Sequence, residues 1–340
     1  MKGFLSLASG ETFEGTIHHL KEEQTGELVV YTGMSGFQEV MTNPAYAGKL
    51  VVFSYPFIGR CGINEVSGES DEIQVDGVIM HEVSENAYHY EATKTVRDYL
   101  EENQIPYMTN VDTRSIVKTM TKTGVQTASM SERKNPPLIQ KEKKHFSTPY
   151  TQIGDGSIHL AVIDFGISRS SLQLLQQENV TLTFVKANNA LQTIQRLPID
   201  GVMFTNGSSE RIHPTIQKEE IKQLVQAYPT LALGLGLQVI LEAFGSSFHP
   251  LPFGHFGNNY PMIDEKTEKV YITSQHHLYT LDESTLPESF TVRFRNGNDQ
   301  SIEGVEHDMY SFLGLQCPIQ SSILSVIQSF ILSLQAKEEE

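Results

Sequence analysis

The chain has 340 residues, of which 39% are hydrophobic and 19% are charged, and its formal net charge is −16. This length predicts two domains, and the acidic balance argues against nucleic acid or an anionic membrane as the main partner. No apolar run approaches the roughly 18 residues that a membrane span requires, and the N-terminal residues turn polar too early for a secretory signal.

Cysteine usage points to a reducing compartment. The two cysteines, Cys61 and Cys317, are too few for a disulfide framework or a cysteine-rich zinc site. A cytoplasmic location is therefore expected.

The first 135 residues are predicted to form a mostly β domain. Strand-like runs at 28–32, 50–55 and 75–80 are separated by clusters of Gly, Pro and Asn. Helical spacing of apolar residues predicts helices at 90–103 and 113–122, the second with Asp112 as its N-cap. Residues 136–157 combine Pro, Lys and Gly with little periodicity, which predicts an interdomain linker.

Residues 158–340 show a different pattern, in which strands and helices alternate. Strands are predicted at 159–166, 181–187, 201–207 and 231–234, and helices at 170–178, 190–196 and 215–228. Repeated βα units predict a parallel sheet flanked by helices. Ligands in such folds lie beyond the carboxyl ends of the strands, which would place Gly207 and Gly234 in one cleft.

The stretch 231–245, LALGLGLQVILEAFG, predicts a sharp turn from strand to helix. It resembles the nucleophile elbow of the class I glutamine amidotransferases, whose pattern is Gly-x-Cys-x-Gly-His-Gln. When the two patterns are anchored on Gly236 and Gln238, Gly234 occupies the position of the nucleophilic cysteine.

Three N-terminal strings make the resemblance more specific: TGMSGFQEVMTNPAY (32–46), YPFIGRCGIN (55–64) and NVDTRSIVK (110–118). Together they resemble the N-terminal domain of the carbamoyl-phosphate synthase small chain. The resemblance implies an α/β protein with a small-chain domain over 1–135 and a class I glutamine amidotransferase domain over 158–340. It also implies a large chain as the partner in a heterodimer, with no cofactor or metal in this chain. The family hydrolyses glutamine to supply ammonia for carbamoyl phosphate, which feeds arginine and pyrimidine synthesis.

The catalytic triad of this family is a cysteine, a histidine and a glutamate. The last two belong to the string Val-Gln-Phe-His-Pro-Glu, which here reads LQCPIQ over 315–320. An ungapped match places Pro318 and Gln320 at the histidine and glutamate positions, and a shift by one residue places Cys317 and Ile319 there. Neither register supplies a histidine or a carboxylate. With Gly234, all three triad positions are altered, which predicts that the chain does not hydrolyse glutamine.

The resemblance also identifies a degenerate glutamine pocket. Ala45 replaces a serine, Ser209 replaces a glycine, and HHLY over 276–279 replaces Asn-His-Gly-Phe. Bulkier side chains at former glycines tend to block a ligand. The amides of Gly207 and Leu235 are expected to remain as an empty oxyanion site. The vestigial pocket positions are Ala45, Gly207, Ser209, Leu235, Gln238, His276, Leu278 and Tyr279.

The sequence gives little support for other residues that could replace the triad or bind a metal. No spacing recommends Cys317 as a relocated nucleophile with His255, His276 or His277 as its base. Adjacent residues of a strand point apart, which argues against a metal site at His276 and His277.

The leading hypothesis is a small chain without glutaminase activity, retained as a structural or regulatory partner of a large chain. One alternative is a pseudoenzyme that works as a binding module independent of carbamoyl-phosphate synthesis. Another is an ordinary active subunit whose sequence carries errors.

Overall fold

The computed structural model describes residues 1–138, 151–208 and 216–335. These residues divide into two compact units. The first unit consists of the chain up to residue 138 together with Leu251–Gly257, and the second holds the other described residues. None of the helices within these ranges has the length and apolar character needed to cross a membrane.

The first unit is built around a closed barrel. The strands of this unit are β1 (Lys2–Leu7), β2 (Thr12–His18), β3 (Gln24–Tyr31), β4 (Lys49–Phe53), β5 (Phe57–Ile58), β6 (Gly77–Ile79), β7 (Glu82–Val83), β8 (Tyr107–Thr109) and β9 (Gln126–Ser131). The order around the barrel is β1-β2-β8-β6-β4-β3-β9, pairing of β1 with β9 closes it, and β5 and β7 form a separate short pair. The mostly β character predicted from the sequence is confirmed.

Three helices accompany the barrel: α1 (Phe37–Thr42), α2 (Val96–Glu102) and α3 (Thr113–Thr123). The predicted N-cap of α3 is confirmed, because the Asp112 side chain accepts a hydrogen bond from the Ser115 N–H. The predicted start of α2 at residue 90 is wrong. That helix begins at Val96, because the Thr95 side chain caps it by accepting from the Asp98 N–H.

The second unit contains a ten-stranded mixed sheet. The strands are β10 (Gln152–Ile153), β11 (Ile158–Phe165), β12 (Val180–Val185), β13 (Gly201–Gly207), β14 (Thr230–Leu233), β15 (Phe248–Asp264), β16 (Val270–Leu281), β17 (Phe290–Asn296), β18 (Ile302–His307) and β19 (Phe312–Leu315). Their order in the sheet is β10-β12-β11-β13-β14-β19-β18-β17-β15-β16. Strands β11, β12, β13 and β14 are parallel, as predicted, and β19, which was not predicted, pairs in parallel with β14. The antiparallel extension from β18 outwards was not predicted.

Helices cover both faces of the parallel strands. They are α4 (Arg169–Gln176), α5 (Ala190–Ile194), α6 (Lys218–Ala227), α7 (Leu235–Ala243) and α8 (Leu324–Gln335). Alternate residues of β11 belong to different hydrophobic clusters: Ala161 and Ile163 pack with α5, α6 and α7, whereas Leu160 and Val162 pack with α4 and α8. A near-continuous apolar strand is expected when a parallel sheet is buried on both faces.

Two segments pair or pack outside the region in which the sequence pattern places them. Of the predicted linker 136–157, residues 139–150 lie outside the described ranges, and Gln152–Ile153 pairs with β12. The segment Leu251–Gly257 falls within the predicted second domain, 158–340, but it groups with the first unit. Phe253 packs against the barrel core, and the Thr32 N–H donates to the Phe256 carbonyl at 3.3 Å.

Candidate functional site

The turn between β14 and α7 has the geometry of an elbow. Gly234 stands at the turn with φ 48° and ψ −111°, a conformation that costs a residue with a β-carbon about 1–3 kcal/mol. Its N–H donates to the Leu315 carbonyl of β19 at 2.7 Å, and its carbonyl accepts from the Gln238 N–H at 3.1 Å. A β-carbon on Gly236 would lie 2.6 Å from the Phe204 carbonyl oxygen, so glycine there lets α7 lie directly on β13.

The side chain of Asn206 fills the space beside this turn. A β-carbon added to Gly234 would lie 2.0 Å from Asn206 Oδ1. The same oxygen accepts hydrogen bonds from the Gly207 N–H at 2.8 Å and from the Leu235 N–H at 3.4 Å. The predicted empty oxyanion site is therefore wrong. Both N–H groups belong to buried residues, and a buried N–H group without an acceptor is costly. The Asn206 carboxamide supplies the acceptor, because Gly234 has no side chain that would exclude it.

Gln320 has a structural partner on the edge strand β16. Its Oε1 accepts from the Ser274 N–H at 2.8 Å, and its Nε2 donates to the Ser274 carbonyl at 3.3 Å. A carboxamide can make both bonds, whereas an ionised carboxylate can only accept. Pro318, at the predicted histidine position, is half-buried and has no group that can carry a proton.

Cys317 follows β19 and is fully buried. Burial, with a further contribution from the negative charge of Glu303, raises the pKa of its thiol to about 12. At neutral pH the group is a thiol, whereas the thiolate is the nucleophilic form. The structure therefore contradicts the alternative in which Cys317 has become the nucleophile.

The predicted pocket positions His276, Leu278 and Tyr279 lie on β16. Burial and the neighbouring His277 lower the pKa of His276 to about 4, so this imidazole is neutral at neutral pH. Leu278 is buried, and the Tyr279 carbonyl accepts from Gln316 Nε2 at 3.3 Å. These contacts tie β16 to the end of β19.

A buried acid–base pair lies beside these residues. His277 Nε2 is 3.3 Å from Glu303 Oε2, and Glu303 Oε1 accepts from Asn296 Nδ2 at 3.1 Å. No motif of the sequence identifies Glu303. The signal for it is a carboxylate beside apolar residues of β18, because a buried carboxylate is almost always paired.

Asp164, at the end of β11, is a second residue that no motif of the sequence identifies. Its Oδ1 accepts from the Gly166 N–H at 3.0 Å, the Ile167 N–H at 2.9 Å and Thr205 Oγ1 at 2.8 Å. Its Oδ2 is buried without a hydrogen-bond partner among the residues that the structure describes. Burial raises the pKa of this carboxyl, although the Thr205 hydroxyl and the two N–H groups oppose the shift.

The predicted site residues Gln238 and Ala45 each make a local hydrogen bond. Gln238 Nε2 donates to Glu242 Oε1 at 2.9 Å, one turn further along α7. Ala45 is buried in the first unit, where its N–H donates to Asn43 Oδ1 at 2.9 Å. Ser209 lies outside the described residues. Within the second unit, the structure thus brings Gly207, Gly234 and Leu235 together around one carboxamide.

Comparison with known proteins covers both units. The family model for the carbamoyl-phosphate synthase small chain, CPSase domain, matches residues 5–130, and that for glutamine amidotransferase class-I matches residues 161–317. The arginine-specific small chain of carbamoyl phosphate synthase from Bacillus subtilis (strain 168) is 37% identical over 324 residues, covering 93% of this chain and 91% of that protein.

Two further relatives give the same result. The arginine-specific small chain from Geobacillus stearothermophilus is 38% identical over 323 residues, covering 93% of this chain and 91% of the relative. The small chain from Syntrophotalea carbinolica is 32% identical over 336 residues, covering 90% and 89%. Because the similarity extends through the barrel unit and the amidotransferase fold alike, this chain belongs to the carbamoyl-phosphate synthase small chain family.

Proposed function

We propose that this chain is a carbamoyl-phosphate synthase small subunit that binds a large subunit and does not hydrolyse glutamine. In this proposal it supports a complex that takes free ammonia. The names of the relatives from Bacillus subtilis and Geobacillus stearothermophilus favour arginine synthesis as the destination of the carbamoyl phosphate.

The observation that carries the proposal is the position of Asn206 Oδ1. An oxyanion hole stabilises a tetrahedral intermediate by directing N–H groups at its developing negative charge. Here the Gly207 and Leu235 N–H groups are directed at a carboxamide of the protein itself. A substrate amide cannot accept from the same donors unless Asn206 first leaves.

The other triad positions support the same conclusion. Gln320 is bonded to the Ser274 backbone and carries no charge with which to orient a histidine. The one buried thiol of the second unit, Cys317, is protonated at neutral pH. Loss of a single member of a comparable serine triad already lowers kcat by roughly a millionfold, so three altered positions leave no chemical step for binding to assist.

The test is to purify the full chain with its large subunit and measure carbamoyl phosphate and glutamate formation. With ammonia, bicarbonate and ATP the complex is expected to form carbamoyl phosphate. With glutamine in place of ammonia, no glutamate release above the uncatalysed rate is expected. The control is a relative whose Cys-His-Glu triad is intact, assayed with its own large subunit.

Two outcomes would contradict the proposal. Glutamate release that a glutamine-analogue alkylator abolishes would show that the chain is an active glutaminase. Failure of the purified chain to recover a large subunit from native cells would favour the alternative of an independent binding module.

A further inference from the structure

The first unit contains a cavity of about 440 Å³ that is separate from the elbow. Residues of β2, β8, α2 and the segment around β7 line it. Its volume lies in the range of small-molecule sites, roughly 300–1,000 Å³. Nothing in the glutaminase chemistry of the second unit uses these residues.

Two arginines line this cavity, and among the residues that the structure describes no hydrogen bond joins either guanidinium to a carboxylate. Arg97 Nη1 is 4.0 Å from Glu85 Oε1, which is beyond hydrogen-bond distance. Arg97 Nε is shielded from solvent and has no hydrogen-bond partner within the described part of the chain. The Arg60 guanidinium lies 4.8 Å from the centre of the Phe57 ring. A buried guanidinium N–H without an acceptor is costly, so a bound acceptor would relieve it.

Two histidines on the wall are held in fixed positions. His18 Nε2 is 3.0 Å from Thr109 Oγ1, and its ring stacks on Tyr107 with the ring centres 4.4 Å apart. His81 Nδ1 is 3.0 Å from the Val111 carbonyl oxygen, to which it donates. Burial lowers the pKa of His18, and the positive charges of the N-terminal amine and of Arg97 lower it further.

We propose that this cavity binds a small metabolite through one oxyanion group, a carboxylate or a phosphate. The planar forks of Arg60 and Arg97 suit such a group, because guanidinium N–H groups pair with two oxygens at once. The Thr16 hydroxyl lines the same cavity, where it accepts from Asn110 Nδ2 at 3.3 Å and keeps its own proton to donate. Glu82 and Glu85 also line it, so a ligand with several anionic groups fits less well than a ligand with one.

The test is a titration of the full chain with inorganic phosphate and, separately, with acetate, at constant ionic strength set with sodium chloride. Binding is followed by calorimetry and by the rise in Tm. We expect saturable binding of at least one probe, and the tighter probe distinguishes a phosphate-bearing from a carboxylate-bearing ligand. Arg97→Gln should weaken that binding about tenfold or more, because it removes a charged hydrogen-bond donor.

The controls separate binding from folding and from general charge. Arg114→Gln removes an exposed arginine from α3 and should leave binding unchanged. Arg60→Gln provides a second variant if Arg97→Gln lowers the Tm of the unliganded protein. Absence of saturable binding, or equal binding by native protein, Arg97→Gln and Arg60→Gln, would overturn the proposal. Neither result bears on glutamine hydrolysis, which is assayed separately.

Discussion

At the scale of single residues, glycine at position 234 has a steric consequence as well as a chemical one. In the proposed function it leaves no nucleophile at the turn, and it also leaves room for the Asn206 carboxamide to accept from the Gly207 and Leu235 N–H groups. Both donors are thereby satisfied inside the fold. Restoring a side chain at 234 would disturb an arrangement that the native protein has completed.

Gly234→Ala is expected to destabilise the protein through two effects. A β-carbon at φ 48° costs about 1–3 kcal/mol, and it also displaces Asn206. Gly245→Ala is the matched control, because Gly245 has φ 104° and nothing lies within 4 Å of an added β-carbon. Urea unfolding should show a larger loss for Gly234→Ala. Equal losses would mean that Asn206 does not occupy the space beside residue 234.

At the scale of single elements, the residue predicted at the glutamate position of the triad holds an edge strand. The edge strand β16 exposes backbone groups that another chain can pair with, and proteins commonly cover such edges. At Ser274 the Gln320 carboxamide makes the two bonds that a neighbouring strand would make. The position predicted for the orienting glutamate now helps to hold β16 on β19.

Gln320→Glu is therefore expected to destabilise the protein although it restores the residue type of the family. The carboxylate loses the bond to the Ser274 carbonyl and places a negative charge beside that oxygen, at a cost of about 1–3 kcal/mol. Gln173→Glu, at an exposed position of α4, controls for the added charge. Chemical denaturation at neutral pH measures both variants, and equal stability would contradict the pairing described for Gln320.

Asp164, at the carboxyl end of β11, should make the stability of the protein depend on pH. Burial raises the pKa of Asp164 above its value in the unfolded chain, so the folded state binds the proton more tightly. This group therefore lowers stability as the pH rises from the unfolded pKa through the folded pKa. Asp164→Asn removes the titration, so its stability relative to the native protein should increase from acid to neutral pH.

Urea unfolding of the native protein and of Asp164→Asn at several pH values checks this expectation. Asp155→Asn, which is exposed, controls for the loss of one negative charge. A difference between native protein and Asp164→Asn that does not change with pH would contradict a raised pKa at Asp164.

For the molecule as a whole, the two compact units do not divide the chain at a single point. Leu251–Gly257 lies far along the sequence, between segments of the second unit, yet it completes the first. Within the first unit, Phe256 packs on Tyr46 with the ring centres 5.6 Å apart, and Lys49 Nζ lies 5.9 Å from the centre of the Phe256 ring. We therefore expect the stability of the barrel unit to depend on residues that follow the elbow helix.

Phe256→Ala should destabilise the first unit by about 3–5 kcal/mol, because the side chain is buried (1% exposed) and a cavity replaces it. Hydrogen exchange followed by mass spectrometry should show faster exchange in β3 and β4. Tyr90→Ala, at a side chain 87% exposed, is the control and should have little effect. A loss no larger than that of the control would show that the segment does not stabilise the barrel.

The amino-acid sequence by itself determined the family, the β-rich first part and the βα pattern of the second, because these follow from local periodicity and from short strings. It also predicted that Gly234, Pro318 and Gln320 occupy the triad positions, and these residues carry no thiol, imidazole or carboxylate. Only the tertiary structure decided what replaced them. Asn206 Oδ1 meets the Leu235 N–H, Gln320 meets Ser274, and Phe256 meets Tyr46 across long sequence separations, so no local pattern could predict these contacts. The expected empty oxyanion site was wrong for the same physical reason: buried donors need acceptors, and the fold determines which acceptor lies within reach.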